Sequence, residues 1–385
     1  MWRSVASNAL TLLIVIAFLA AGAVIWGKRQ YAEPGPLAEA ICLRVAPGSN
    51  MRRLSSDLEE RGAVTNGSIF RVGAEYSEKS DDLKAGAFLV PASASMEEIV
   101  DIVTRGGAST CGTEVVYRVG VRQSDVLVRE LDPATTRFVE RARFVPGEGA
   151  EVPEAYEEIR AQDDTRFRLQ MAEGVTSWQV VQLLNQIDEL TGEVTDLPAE
   201  GTLSPDSYEF SKGESRADLV AEMQSRQSAI LAEAWSNRVD DLPLLSPEEV
   251  LIMASIIEKE TAVPEERRTV ASVFENRLKR GMRLQTDPTV IYGITKGQGV
   301  LDRGIRQSEL RGETPYNTYL IDGLPPTPIA NPGRASIEAA VNPEPTDYVY
   351  FVADGTGGHA FATTLDEHNR NVARWREIEA GRANQ

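Results

Sequence analysis

The sequence predicts an α+β protein carried on one N-terminal membrane-spanning helix. Three observations predict it. The run Ala9–Trp26, ALTLLIVIAFLAAGAVIW, holds no charge and one hydroxyl, Thr11. Short segments of period two alternate with longer segments of helical period, and a strand–turn–helix order occurs twice. Late in the chain, the uncharged stretch Val250–Ile257 leads into Glu258-Lys259-Glu260, the pattern of a helix apolar around its circumference that ends in charge.

Composition narrows the function. The chain has 385 residues, 40 Lys+Arg against 58 Asp+Glu, and a net charge of −18. A hydrophobic fraction of 42% supports packed cores. The acidic balance argues against a general nucleic-acid binder, because little cationic surface is left to neutralise phosphate. The two His and two Cys do not cluster as a structural zinc site requires. Neither H-E-x-x-H nor G-x-x-x-x-G-K-[ST] occurs.

Taken in order, the apolar run spans roughly 27 Å at helical rise, enough to cross a bilayer. Arg3 precedes it and Lys28 and Arg29 follow, so flanking charge does not set orientation. A cleaved signal peptide, with Ala21-Gly22-Ala23 near the cleavage point, competes with an uncleaved signal-anchor. The run exceeds the ~7–15 residues of an ordinary signal core, which favours the anchor. Both readings export the remainder. In an oxidising compartment Cys42 and Cys111 could form a disulfide; two buried thiols are the alternative.

Pro34, Gly35 and Pro36 mark a linker. Ile41–Val45 alternates as a strand, Met51–Arg61 has helical period closed by Gly62, and a second helix covers Gly67–Tyr76. Ala85–Val90 reads as a strand, and Ser95 with Glu98 has capping-box spacing ahead of Ile99. The order returns with strand Phe167–Met171, a Gly174 turn, helix Trp178–Asn185, strand Ser207–Phe210 and helix Ala217–Met223. Between the two copies, Gly120–Asp164 is charged and reads as a mobile insertion with a short helix through Leu127, Val128 and Leu131. The predicted organisation is therefore an N-terminus (1–8), a transmembrane helix (9–27), a linker (28–40), a first unit (41–113), a charged insertion (114–165) and a catalytic domain (166–385). That domain comprises a second unit at 166–225 and a core at 242–385.

Ser246-Pro247-Glu248-Glu249 is a helix start with Ser as N-cap and Pro at the first position. At about 100° per residue, Glu260 shares a face with Met253, Ile256 and Ile257. Glu258 points away, with Leu251, Ala254 and Ser255. An apolar surround raises a carboxyl pKa, which makes Glu260 the better general acid. The alternative is that both are exposed helix-end residues paired with Lys259 or Arg267. A helix from Pro264 to Arg280 is closed by Gly281. In Gln285-Thr286-Asp287-Pro288, Asp287 and Pro288 read as N-cap and first helical residue, and Gln285 and Thr286 suit sugar hydroxyls and amides. Tyr316 and Asn317, in TPYNTY, supply a stacking face and an amide. GLPPTPIANPG, Gly323–Gly333, is a stiff loop suited to a cleft wall. Asp347–Val352 reads as a buried strand, followed by a Gly-rich hairpin; His359 and His368 could be ligands or bases, with hydrogen-bonded structural roles favoured.

These blocks carry a resemblance. Met253–Gly293, MASIIEKETAVPEERRTVASVFENRLKRGMRLQTDPTVIYG, resembles the signature of the YceG-like (MltG) family of endolytic murein transglycosylases. TPYNTY, GLPPTPIANPG, YFVADGTGGHAFATTLDEHN and EGTLSPDSY resemble its other blocks, and the likeness runs from Ile41 to about Arg370. The stretch Gly120–Asp164 departs from it in length. The resemblance implies a LysM-like subdomain at 41–113 and a single-pass bacterial inner-membrane protein with its catalytic domain in the periplasm. It implies cleavage within peptidoglycan glycan strands, between N-acetylmuramic acid and N-acetylglucosamine, to 1,6-anhydro ends. The peptidoglycan synthesis machinery is an implied partner, and no metal or organic cofactor is implied. The family's catalytic Glu maps to Glu260; Gln285, Thr286, Asp287, Tyr316 and Asn317 are the candidate substrate-binding residues. A non-catalytic, membrane-anchored peptidoglycan binder is the alternative, and a hydrolase would need a second carboxylate such as Asp287 or Glu313.

Overall fold

The computed structural model describes residues 2–105, 110–147, 149–162 and 164–383. The fold is mixed α+β, as the patterning predicts. Helix α1, Trp2–Ala32, is longer than the apolar run, and Leu10–Ala32 is long and apolar enough to cross a membrane. It continues past the predicted boundary at residue 27 because nothing breaks it before Pro34.

The chain forms two compact units. The first comprises Met1–Val115, Leu127–Arg143 and Val152–Arg166; the second comprises Val116–Val126, Phe144–Glu151 and Phe167–Gln385. In the first, β1 (Ile41–Val45) and β2 (Gly86–Val90) pair antiparallel with Leu43 opposite Phe88. Helices α2 (Met51–Glu60), α3 (Gly67–Tyr76) and α4 (Met96–Thr104) pack on them around Leu43, Leu58, Phe70 and Ile99. The Ser95–Glu98 capping box is present with both reciprocal bonds. Cys42 and Cys111 are disulfide-bonded, Cα atoms 5.8 Å apart. Tyr31, near the end of α1, packs against this core.

The predicted mobile insertion is ordered structure. Strand β3 (Thr113–Val119) ends just before it, and it holds β4 (Asp125–Asp132), β5 (Arg137–Phe144) and helix α5 (Glu154–Arg160). Leu127, Val128 and Leu131 lie on β4, not on a helix. Val126 and Val128 are both buried while their neighbours are not, the period of a strand. The high charge misled because β5 is almost wholly exposed, so its polar residues need no pairing in a core. With β6 (Arg166–Met171) and β7 (Ser207–Phe210) the sheet order is β5-β4-β3-β6-β7, and Leu169 stands opposite Tyr208.

Helix α6 (Ser177–Leu184) follows β6, opened by a Thr176–Gln179 capping box. Helix α7 (Arg216–Ser236) outruns its predicted end at Met223. Helix α8 (Pro247–Glu260) is the axis of the second unit's core. Every residue from Val250 to Ile257 is buried, packed among Phe274, Leu284, Ile329 and Ile337. A 3-10 turn at Pro264–Glu266 precedes α9 (Arg267–Lys279). Then come α10 (Asp287–Thr295), the single turn α11 (Gln307–Leu310) and α12 (Arg334–Val341). The strand predicted at Asp347–Val352 begins only at Tyr350 as β8 (Tyr350–Ala353), half-buried throughout and paired with β9 (His359–Ala362). Helix α13 (Leu365–Ala383) closes the chain.

Candidate active site

Helix α8 stops where its acid stands. Ser246 caps the start by accepting the Glu249 N–H, and Thr261 turns extended to end the helix at Glu260. A helix C-terminus carries partial negative charge, which disfavours a carboxylate there. The side chains of the last turn diverge. The Glu258 carboxylate, 6% exposed, accepts the Gly333 N–H at 3.0 Å and lies 3.9 Å from Arg267. Lys259 Nζ donates to the Gly174 carbonyl at 3.2 Å. Glu260 Oε1 accepts the hydroxyl of Thr286. Neither carboxylate is therefore an exposed helix-end residue.

Thr286 is aimed by its neighbour. Gln285 adopts a left-handed backbone, φ 51°, held by its N–H on the Thr318 carbonyl at 3.1 Å. A non-glycine residue in that region stores strain of the kind found at functional sites. The Thr286 N–H then donates to Thr318 Oγ1 at 3.0 Å, and Thr318 meets Thr289 at 2.9 Å. Three sequence blocks, EKET, QTDP and YNTY, thus converge on one buried hydroxyl network.

Around Glu260, burial pushes the carboxyl pKa up, and the charge of Asp287 pushes it further. The Thr286 hydrogen bond, His359 and Arg277 oppose this. Burial dominates, so the proton is held more tightly than on an ordinary Glu. His359 is fixed by Glu266, which accepts its backbone N–H at 2.8 Å and meets ring Nδ1 at 2.7 Å. Arg277 donates to the Val349 and Leu284 carbonyls at 2.6 and 2.8 Å.

The other predicted residues divide. Gln285 is exposed beside Glu260's partner, Thr286 is buried against the acid, and Asp287 is exposed. Asp287 is not the helix cap: Thr286 holds that position, and the Asp287 carboxylate accepts the Tyr319 hydroxyl at 2.7 Å instead. Tyr316 is half-buried, its ring 5.0 Å from that of Tyr292 and its hydroxyl 2.8 Å from Thr327. Asn317 does not face substrate. It is fully buried, and its amide nitrogen is spent on the carbonyls of Leu310 and Gly312 at 3.1 and 2.7 Å. An amide between two Tyr reads the same whether it binds ligand or staples its loop, and only burial separates the two. Glu313 is exposed. Arg277 and Glu266 are the site residues that sequence reasoning missed, while His359 and the second Tyr of TPYNTY, Tyr319, were visible in the sequence without their partners.

A carboxylic acid desolvated at a helix end, bonded to a hydroxyl and within electrostatic reach of an imidazole and a guanidinium, is a candidate general acid–base group on an α+β scaffold. Residues 125–374 match the model of the YceG-like family, and the chain belongs to that family. The matched stretch contains every residue of the site. A Bacillus subtilis (strain 168) protein named endolytic murein transglycosylase is 28% identical over 356 residues, 91% of this chain and 89% of the relative. A protein of the same name from Streptococcus pneumoniae serotype 2 is 28% identical over 355 residues, covering 86% of this chain and 58% of its own length. Among solved structures, a yceG-like protein from Listeria monocytogenes aligns at 27% identity with a TM-score of 0.45, covering 86% of this chain and 98% of that one.

Proposed function

We propose that the chain is an endolytic peptidoglycan lytic transglycosylase in which Glu260 is the single acid–base group. The observation that carries the reading is the Glu260 carboxyl, buried at the end of α8 with its pKa raised, inside the stretch that matches the family. The names of the relatives support the substrate.

Protonated Glu260 gives its proton to the oxygen between N-acetylmuramic acid and N-acetylglucosamine as the C1–O bond breaks. The muramyl C6 hydroxyl attacks C1, and its proton goes to the Glu260 carboxylate. The acid is regenerated, the product end is 1,6-anhydro, and no water is consumed. Because the nucleophile is part of the substrate, a second carboxylate is not required. Thr286 orients the carboxylate, and the positive charge of Arg277 steadies it while it is ionised. Gln285 and Tyr316 are placed to meet the sugar. Helix α1 serves as the anchor, the remainder lies in the periplasm, and residues 41–113 act as a LysM-like glycan-binding subdomain.

A water-using hydrolase is the second reading, favoured by Asp287, whose charge acts on Glu260 and whose carboxylate is pinned by Tyr319. Mass spectrometry of purified sacculi after digestion separates the readings. Anhydro ends support the transglycosylase, reducing ends the hydrolase, and unchanged sacculi a non-catalytic binder.

A further inference from the structure

A concave surface that neither Glu260 nor Asp287 lines borders the last turn of α8. A cleft of about 840 Å3 is lined by Arg122 and Gln123 from the β3–β4 turn, Lys259 on α8, Tyr292 on α10 and Ile329 on the proline-rich loop. Glu260 and Asp287 do not line it, but their chain neighbours Lys259 and Pro288 do. The cleft therefore adjoins the end of α8 that carries Glu260 and the start of α10 that carries Asp287. A polymer bound across Glu260 would bring its side groups to this cleft.

The cations of the cleft are uncommitted. Lys259 has the Gly174 carbonyl as its hydrogen-bond partner and, among the described residues, no ion pair. Arg122 is exposed and likewise makes no ion pair among the described residues. Two unpaired cations on one concave wall stand out in a chain of net charge −18. Glu258 and Glu200 act on Lys259 through their charge, but neither forms an ion pair with it among the described residues. Glu200 is tied to the Ser177 N–H at 2.8 Å and to the Tyr292 hydroxyl at 3.2 Å, and Asp302 stands on the lining without pairing to either cation. Burial disfavours the Lys259 ammonium, and the charges of Glu258 and Glu200 only partly offset this, so a further anion in the cleft would favour it.

We propose that this cleft binds a carboxylate of the peptide stem that hangs from the glycan, held by Lys259 and Arg122, with the exposed Gln123 amide hydrogen-bonding the stem's backbone. The identity of the polymer rests on the transglycosylase reading; the preference for a carboxylate rests on the cleft alone. An ammonium and a guanidinium meeting one carboxylate form charge-assisted hydrogen bonds, and partial burial strengthens them.

Binding of the full chain carrying Glu260→Gln is measured on three immobilised glycans: strands with their stems, strands stripped of stems by an amidase, and strands whose stem carboxylates have been amidated. Stem-bearing strands are expected to bind at least about tenfold tighter than either of the others. Adding Arg122→Gln or Lys259→Met should bring the three affinities close together. Arg122 lies on an exposed turn, so it decides the matter if the Lys259 variant folds poorly. Equal binding of the three glycans by the parent overturns the proposal, as does a preference that survives Arg122→Gln. Wild-type cleavage of the same strands tests the other reading separately: products lacking anhydro ends would sink the transglycosylase and leave the binding preference to stand or fall by itself.

Discussion

Glu260 accepts the hydroxyl of Thr286, and that bond crosses from the end of one helix to the cap of another. Glu258, two positions earlier, reaches instead to the Gly333 N–H. The two carboxylates have different work, and substitution should separate them.

Glu260→Gln keeps shape and a hydrogen-bond acceptor but cannot give up an acidic proton. Turnover of purified glycan strands is expected to fall by ~10²–10⁴-fold, the usual worth of general acid–base help, with the thermal unfolding midpoint little changed. Glu258→Ala should do the reverse. It orphans the buried Gly333 N–H and costs roughly 1–3 kcal/mol of stability, while folded molecules still turn over. A dead Glu258→Ala protein of normal stability would move the acid to Glu258.

With Glu260 as the proposed acid, Thr286 is expected to tune the pH range. Its hydrogen bond favours ionised Glu260 and so lowers a pKa that burial raises. Catalysis needs the protonated acid, so activity falls as pH rises through that pKa. Thr286→Val removes the bond and should shift the alkaline limb of the kcat/KM profile to higher pH, and Thr286→Ser should restore it. An unmoved limb in the Val variant would contradict the geometry.

Glu275, 2% exposed on α9, has no hydrogen-bond partner on either carboxyl oxygen. Burial pushes its pKa from 4.5 to about 8, partly offset by Lys279. A group raised in the folded state contributes stability fully below its unfolded pKa and loses it as pH climbs through the folded value. The unfolding midpoint should therefore drop between about pH 4.5 and pH 8. Glu275→Met should flatten that slope and stabilise the protein at pH 8 and above; an unchanged slope would show that Glu275 is not its source.

The Cys42–Cys111 bond closes a loop of 69 positions. Thiol counting on unfolded, unreduced protein should find no free thiol. Replacing both Cys with Ala should cost about 2–5 kcal/mol, read as a lower denaturant midpoint.

Helix α1 gives a prediction about location. A C-terminal alkaline phosphatase fusion should be active, and the protein should stay in the membrane fraction with its N-terminus intact. A soluble form beginning near Ala23 would indicate a cleaved signal peptide instead.

Local chemistry made much of this protein legible without coordinates. The charge-free run announced α1, the Ser95–Glu98 and Ser246–Pro247 signals marked helix starts, and the apolar stretch before Glu258-Lys259-Glu260 marked a buried helix ending in acid. Each of these depends on residues within a turn or two of one another, where period and capping act directly. The 3.6-residue period also separated the faces of Glu258 and Glu260. Partnership at long range was beyond it. That Asn317 staples its own loop and that Thr286, not Asp287, caps α10 depend on burial and backbone direction, and that Glu266 holds His359 depends on backbone paths meeting across 93 positions. The strands of Gly120–Asp164 were hidden for a related reason. An exposed strand such as β5 buries too little to leave a hydrophobic signature, and its conformation is imposed by the ladder of the neighbouring strand.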